Sequence, residues 1–156
     1  HPAKAGQTGI HRGHGQGGPQ ARKWEVMIGL DTNVLVRYLV QDHPTQASKA
    51  TQIIEKGEEE ASFYITSVVL CELVWVMESA YGYGQDLVVP ALEQILRTGQ
   101  FRFEDKDLLW QALTDYRTGK GDFSDHLIGR IGARAGCLRT LTFDRSLRRS
   151  PNFGIL

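Results

Sequence analysis

Met27-Ile28-Gly29-Leu30-Asp31-Thr32-Asn33-Val34-Leu35-Val36-Arg37-Tyr38-Leu39 passes from a short apolar run through one carboxylate into an amphipathic run, with no proline between them. The pattern reads as strand, turn and helix. Asp31 then ends the strand, and an open α/β sheet gathers its ligands in the crevice beyond the carboxyl ends of its strands. Alone, an Asp at this point reads equally well as a helix N-cap. The other acids of the chain decide between the two.

Three further sites carry acids that this topology would return to the same crevice. Glu72 lies inside the apolar run Val68-Val69-Leu70-Cys71-Glu72-Leu73-Val74-Trp75-Val76-Met77. Asp122 and Asp125 open a helix after the joint Gly119-Lys120-Gly121, and Asp144 ends the late strand Leu138 to Phe143. A carboxylate among apolar neighbours needs a partner, because burying it uncompensated is costly. Each acid has a bland reading as well: a salt bridge for Glu72, an N-cap for Asp122, a dipole-favoured surface acid for Asp125. Together they are harder to dismiss, since crowded carboxylates repel unless a hard cation neutralises them. The expectation is one or two Mg²⁺ or Mn²⁺ ions held by Asp31, Glu72, Asp125 and Asp144, with Asp122 beside them.

Composition bounds the rest. A chain of 156 residues is the size of one domain with a real core. A charged share of 23% and the absence of a long apolar run fit a globular protein that does not cross a membrane. The first 26 residues hold four basic residues and one acidic residue, which leaves 14 basic and 17 acidic for 27–156, a net of −3. A polyanionic substrate would therefore depend on metal ions and a local Arg patch rather than on a basic surface. Cys71 and Cys137 have neither metal-type nor disulfide spacing, which favours a reduced, cytoplasmic setting.

Residues 1–26 are rich in Gly with one large aliphatic residue, Ile10, and read as a flexible extension outside the domain. The domain then spans 27–156. A first helix is predicted to stop at Asp42-His43-Pro44, and a second should bury Ala47, Ala50, Ile53 and Ile54 and turn Glu55 to Glu60 to water. Ser62 to Thr66 alternates as a second strand. Ser67 opens the helix of Glu72, and Gln85 to Leu96 forms another, with Pro90 predicting a kink or a late start. Phe101-Arg102-Phe103 is a third strand and Lys106 to Tyr116 a helix. Ile128, Ile131, Ala135 and Gly136 should complete a packed helix after Asp125. Phe153 to Leu156 is an edge strand, and Arg145, Arg148 and Arg149 lie beside Asp144, well placed for phosphates. Strands alternating with helices predict an α/β fold with a mostly parallel sheet flanked by helices on both faces.

All-oxygen donors select hard divalent ions, and two such ions suit phosphodiester hydrolysis. The chain lacks a P-loop, a GxGxxG turn and a Ser nucleophile elbow, so nucleotide-cofactor and acyl-transfer chemistry have little support. The segments LDTNVLVRYL, SVVLCEL, GDFSDHLIGRIGARAG and TLTFDRSL resemble the PIN-domain ribonucleases, and most of all the VapC-type toxins of bacterial toxin–antitoxin pairs. The resemblance covers 27–156. It implies that Asp31, Glu72, Asp125 and Asp144 form the family's acidic quartet, with Asp122 an accessory acid. It also implies that Thr32, Asn33, Ser67 and Thr142 orient carboxylates or waters. From it follow the expectations of Mg²⁺- or Mn²⁺-dependent RNA cleavage, a homodimer, and inhibition by a cognate VapB-type antitoxin. Two alternatives stand beside it: a PIN-like module that binds RNA or protein without turnover, and a phosphatase or flap-type nuclease on a similar sheet.

Overall fold

A computed structural model describes residues 26–56 and 61–156. The extension expected at 1–26 and the acidic residues 58–60 fall almost wholly outside the described residues. The elements follow one another as β1 (Val26–Gly29), α1 (Thr32–Val40), α2 (Pro44–Lys56), β2 (Ala61–Ile65), α3 (Ser67–Ser79), α4 (Gln85–Arg97), β3 (Phe101–Phe103), α5 (Lys106–Thr118), α6 (Phe123–Arg134), β4 (Thr140–Thr142) and β5 (Phe153–Ile155). A single 3₁₀ turn, Arg145–Leu147, joins the last two strands.

Every strand pair is parallel, as the alternation of strands and helices predicts. The strands divide into two sheets, β1-β2-β3 and β4-β5. In the first, Ile28 lies opposite Phe63 and Ile65 opposite Phe103, so the carboxyl ends of all three strands come out side by side. In the second, Thr142 lies opposite Ile155. Periodicity reports which segments are strands, not which strand lies beside which, so the division into two sheets is not visible in the sequence.

Local signals set the helix boundaries. The Thr66 hydroxyl accepts from Val69 N and Asp105 accepts from Leu108 N, so α3 and α5 each begin where a side chain takes an otherwise orphan amide. α1 stops at Gln41, whose left-handed backbone returns its N–H to Arg37 O. α4 starts five residues before Pro90, so the proline sits inside the helix rather than delaying it.

The core lies between the first sheet and α1 to α6. Leu35, Ile54, Phe63, Ile65, Leu73 and Leu109 are all at most 1% exposed. Full burial of such a side chain contributes about 1.5–3 kcal/mol. The α5 expectation holds throughout, with Leu108, Leu109, Ala112, Leu113 and Tyr116 all buried. Two other expectations need correction. Ile53 is exposed on α2, where only Ala47, Ala50 and Ile54 face inward. Ile128, Ile131, Ala135 and Gly136 are exposed as well, because α6 makes its close contacts elsewhere. A Cβ at Gly129 would meet the Phe153 ring at 2.7 Å, and one at Gly132 would meet the Thr140 hydroxyl at 2.8 Å, so β4 and β5 rest on the glycine face of α6.

Candidate active site

Asp31 stands at the end of β1 and caps α1, its Oδ1 accepting from Thr32 N at 2.8 Å. Capping and a role in the crevice are compatible here, because Asp31 is exposed and its Oδ2 has no partner among the described residues. The next residue, Thr32, is 5% exposed, and its hydroxyl donates to Glu72 Oε2 at 2.7 Å across 40 residues of sequence. One threonine therefore ties two of the expected acids together, its amide on Asp31 and its hydroxyl on Glu72.

The expectation that Glu72 is buried is corrected. Glu72 is exposed, on a stripe of α3 that also exposes Val68 and Trp75, each about one turn away. α3 is apolar nearly all round, which in a sequence looks like full burial, but its core side is Leu70, Leu73, Val74 and Met77. Exposed as it is, Glu72 needs no buried partner, and the Thr32 hydroxyl serves to orient it.

The other acids stand on two turns that meet at Gly121. Asp122 is the N-cap of α6, and Asp125 Oδ2 reaches back to Asp122 N at 2.9 Å to close a capping box. Gly121 has φ +95°, and a Cβ there would lie 3.2 Å from Asp125 Oδ2 and 2.6 Å from Leu147 Cδ2. Leu147 belongs to the 3₁₀ turn that Asp144 caps. Asp144 Oδ1 accepts from Ser146 N at 2.8 Å, and its own amide donates to the Thr142 hydroxyl at 3.1 Å. The Ser146 hydroxyl, followed by the Ser146 amide, holds the Asp144 carboxyl below its ordinary range.

The expected positioning residues therefore differ. Thr32 and Thr142 each bond an expected acid. Ser67 instead gives its amide to Glu104 Oε1 at 3.1 Å, and Asn33 is exposed at the start of α1. Glu104 is absent from the expected set although it ends a strand much as Asp31 does, and that shared position is the signal available in the sequence. Arg145, Arg148 and Arg149 are all exposed around the 3₁₀ turn.

The donor chemistry fits a hard divalent cation. The available groups are carboxylate oxygens, with Asp31 Oδ2 and Glu72 Oε1 unengaged among the described residues and no thiol or imidazole in the set. Asp31 and Glu72 are joined through Thr32, whereas Asp125 and Asp144 stand on separate turns that meet through Leu147 and Gly121. Among the described residues no three acid, His or Cys side chains stand close enough together to hold a metal ion, so the four expected acids do not meet at one point in this structure.

The PIN domain family model matches residues 28–152, from within β1 to the residue before β5. The chain belongs to the PIN-domain family. It is also similar to a VapC ribonuclease from Aquifex aeolicus (strain VF5), at 23% identity over 120 residues, covering 77% of this chain and 89% of that protein. Asp31, Glu72, Asp122, Asp125 and Asp144 all lie inside the span of the PIN-domain match.

Proposed function

We propose that this PIN-domain chain is a metal-dependent endoribonuclease of the VapC toxin type, hydrolysing RNA phosphodiesters. The observation that carries the reading is the Asp31–Thr32–Glu72 unit. Two acids from separate elements are drawn to the carboxyl end of the sheet by a buried threonine, in a family whose curated relative is a ribonuclease. Asp31, Glu72, Asp125 and Asp144 would hold Mg²⁺ or Mn²⁺, with Asp122 accessory. Such an ion lowers the pKa of a bound water and neutralises charge developing on the phosphate.

The protein's part is positioning. Thr32 fixes the Glu72 carboxylate, Thr142 fixes the backbone of Asp144, and Arg145, Arg148 and Arg149 supply the cations that an otherwise acidic domain needs to hold a polyanion. A homodimer and a VapB-type antitoxin belong to the same reading. The exposed Val68 and Trp75 beside Glu72 support it, as apolar surface next to a site suits a protein partner. A cytoplasmic setting accords with two free cysteines and with the lack, among the described residues, of any helix long and apolar enough to cross a membrane.

The test is cleavage of single-stranded RNA with Mg²⁺ or Mn²⁺. EDTA should abolish it, and Asp31→Asn should lower it by about a hundredfold or more while leaving the melting temperature near that of the parent. Cleavage indifferent to both changes sinks the reading. Tight RNA binding without cleavage would favour a binding module instead.

A further inference from the structure

We infer that the cleft between the Thr118–Gly121 joint and the 3₁₀ turn is a phosphate subsite that holds the RNA strand beside the reacting position. This deepens the ribonuclease reading and rests on it. The cleft, about 340 Å³, is bounded on one side by Thr118 and Lys120 and on the other by Ser146, Arg149 and Ser150.

Its charge balance favours an anion. Asp115 also lines the cleft, but both of its oxygens are taken by Arg130, at 2.6 and 2.8 Å, so that carboxylate is neutralised from within the protein. Among the described residues neither Lys120 nor Arg149 is paired with a carboxylate. Two uncompensated cations therefore face one concavity, with the Ser150 hydroxyl also on its lining. Arg offers a planar fork and Lys a mobile point charge, a combination suited to the tetrahedral oxygens of a phosphate.

The cleft is also held in shape. His126 is 4% exposed, and its Nε2 donates to the Lys120 carbonyl at 2.7 Å, which pins the joint from below. Leu147 is 2% exposed and packs on Gly121, which pins the turn against the joint. A phosphate would thus meet groups whose backbone is already fixed, so little ordering accompanies binding.

Its place explains its use. Ser146 lines the cleft and gives its amide to Asp144, while Gly121, next to Lys120, abuts Asp125. The cleft therefore opens directly beside two of the expected metal ligands. A strand whose scissile phosphate lies at those acids has its next phosphate within reach of Lys120 and Arg149. Base edges play no part in such a contact, so the cleft sets the strand's register rather than the sequence it prefers.

The experiment is fluorescence anisotropy of a labelled single-stranded RNA in EDTA, where cleavage cannot consume the probe. It compares the parent with Lys120→Gln, Arg149→Gln, Lys120→Arg and, as a control on α2, Lys56→Gln. Each cleft Gln variant should bind RNA about tenfold more weakly, the effect of removing one charge-assisted hydrogen bond. The slope of log affinity against log salt should fall by about 0.7 for each phosphate that the variant no longer neutralises. Lys120→Arg should restore most of the affinity, Lys56→Gln should change it little, and melting temperatures should stay together.

Affinity unchanged in both cleft variants overturns the proposal, and so does an equal weakening in Lys56→Gln, which would mean a general charge effect. Inorganic phosphate is titrated in parallel. Weaker phosphate binding in the cleft variants without any change in RNA affinity makes the cleft a site for free phosphate and overturns the strand reading. Cleavage is scored separately in Mg²⁺. A parent that binds RNA through the cleft but never cuts it sinks the ribonuclease reading while the subsite stands.

Discussion

The two halves of the candidate site are anchored in different ways. Asp31 and Glu72 sit on the β1-β2-β3 side, where Thr32 joins them across 40 residues of sequence over a core at most a few per cent exposed. Asp122, Asp125 and Asp144 sit on the side of α6 and β4-β5, held by bonds that span only two or three residues. Exposed apolar groups stand on both sides, Val68 and Trp75 beside Glu72 and Leu138 and Phe143 beside Asp144, but near Asp144 the buried anchor is Leu147 alone in its turn. Long-range bonds over a packed core fix geometry cooperatively with folding. Local turn bonds form and break with far less of the structure behind them. The first half is therefore tied by a long-range side-chain bond, whereas in the second the turns are seated on one another chiefly through Leu147 on Gly121 and His126 beneath the joint.

The sharpest attempt to break this contrast is a pair of equal truncations. Phe63→Ala on β2 should cost about 3–5 kcal/mol, since the ring is 1% exposed and leaves a cavity. Phe143→Ala should stay within about 0.5 kcal/mol. Chemical denaturation of both variants reads the difference, and comparable losses would mean that the exposed segment is packed in solution. Next in size is Gly121→Ala, where the second half seats on the α5–α6 joint. Its φ of +95° and its contact with Leu147 should make the change cost about 1–3 kcal/mol. RNA cleavage should fall with it, because the Asp125 and Asp144 turns both rest there. An unchanged denaturation midpoint would show that the two turns do not depend on that contact.

A smaller and more pointed change is Thr32→Val, which keeps the volume and the amide on Asp31 but removes the hydroxyl from Glu72. Stability should drop by only about 1 kcal/mol, because the freed Glu72 oxygen is exposed and takes a water. RNA cleavage should drop about tenfold, as happens when the group orienting a ligand is removed. The equivalent change at Thr142 should cost less, since its bond to Asp144 N is local. Equal losses at both positions would erase the distinction between the halves.

Much of this is legible in the chain. The strand, turn and helix around Asp31 announce themselves by a change of period from two to three or four. The two threonines stand out because each lies next to, or two residues from, an acid that ends a strand. What stays hidden is relative position. An α3 run apolar on nearly every side gives no phase from which to learn that Val68, Glu72 and Trp75 share its outer face. The glycines of α6 look like ordinary small residues until β5 lies across them. Glu104 follows a strand that the sequence does show, Phe101–Phe103, but nothing in the pattern ties it to Ser67, 37 residues earlier.

The smallest effect tests whether long-range anchoring extends to the surface of the core half. Asp42 follows α1, and its oxygens accept from the Tyr81 hydroxyl at 2.7 Å and from Arg37 at 3.0 Å, which ties the ends of α1 and α3 together. The Tyr81 hydrogen bond is the main cause that holds the Asp42 carboxyl below its ordinary 3.8, with Arg37 adding to it and desolvation opposing it. A carboxyl lowered in the folded state stabilises that state fully above 3.8, and the contribution is lost as pH falls through the lowered value. Tyr81→Phe removes the larger cause and leaves Arg37, so the Asp42 midpoint followed by NMR should move up toward 3.8 without reaching it. The variant's deficit in melting temperature should be present at neutral pH and shrink below that window. An unmoved midpoint would mean that Arg37 alone holds the carboxyl, five residues away in sequence, and the surface of the core half would then be anchored as locally as Asp144 is by Ser146.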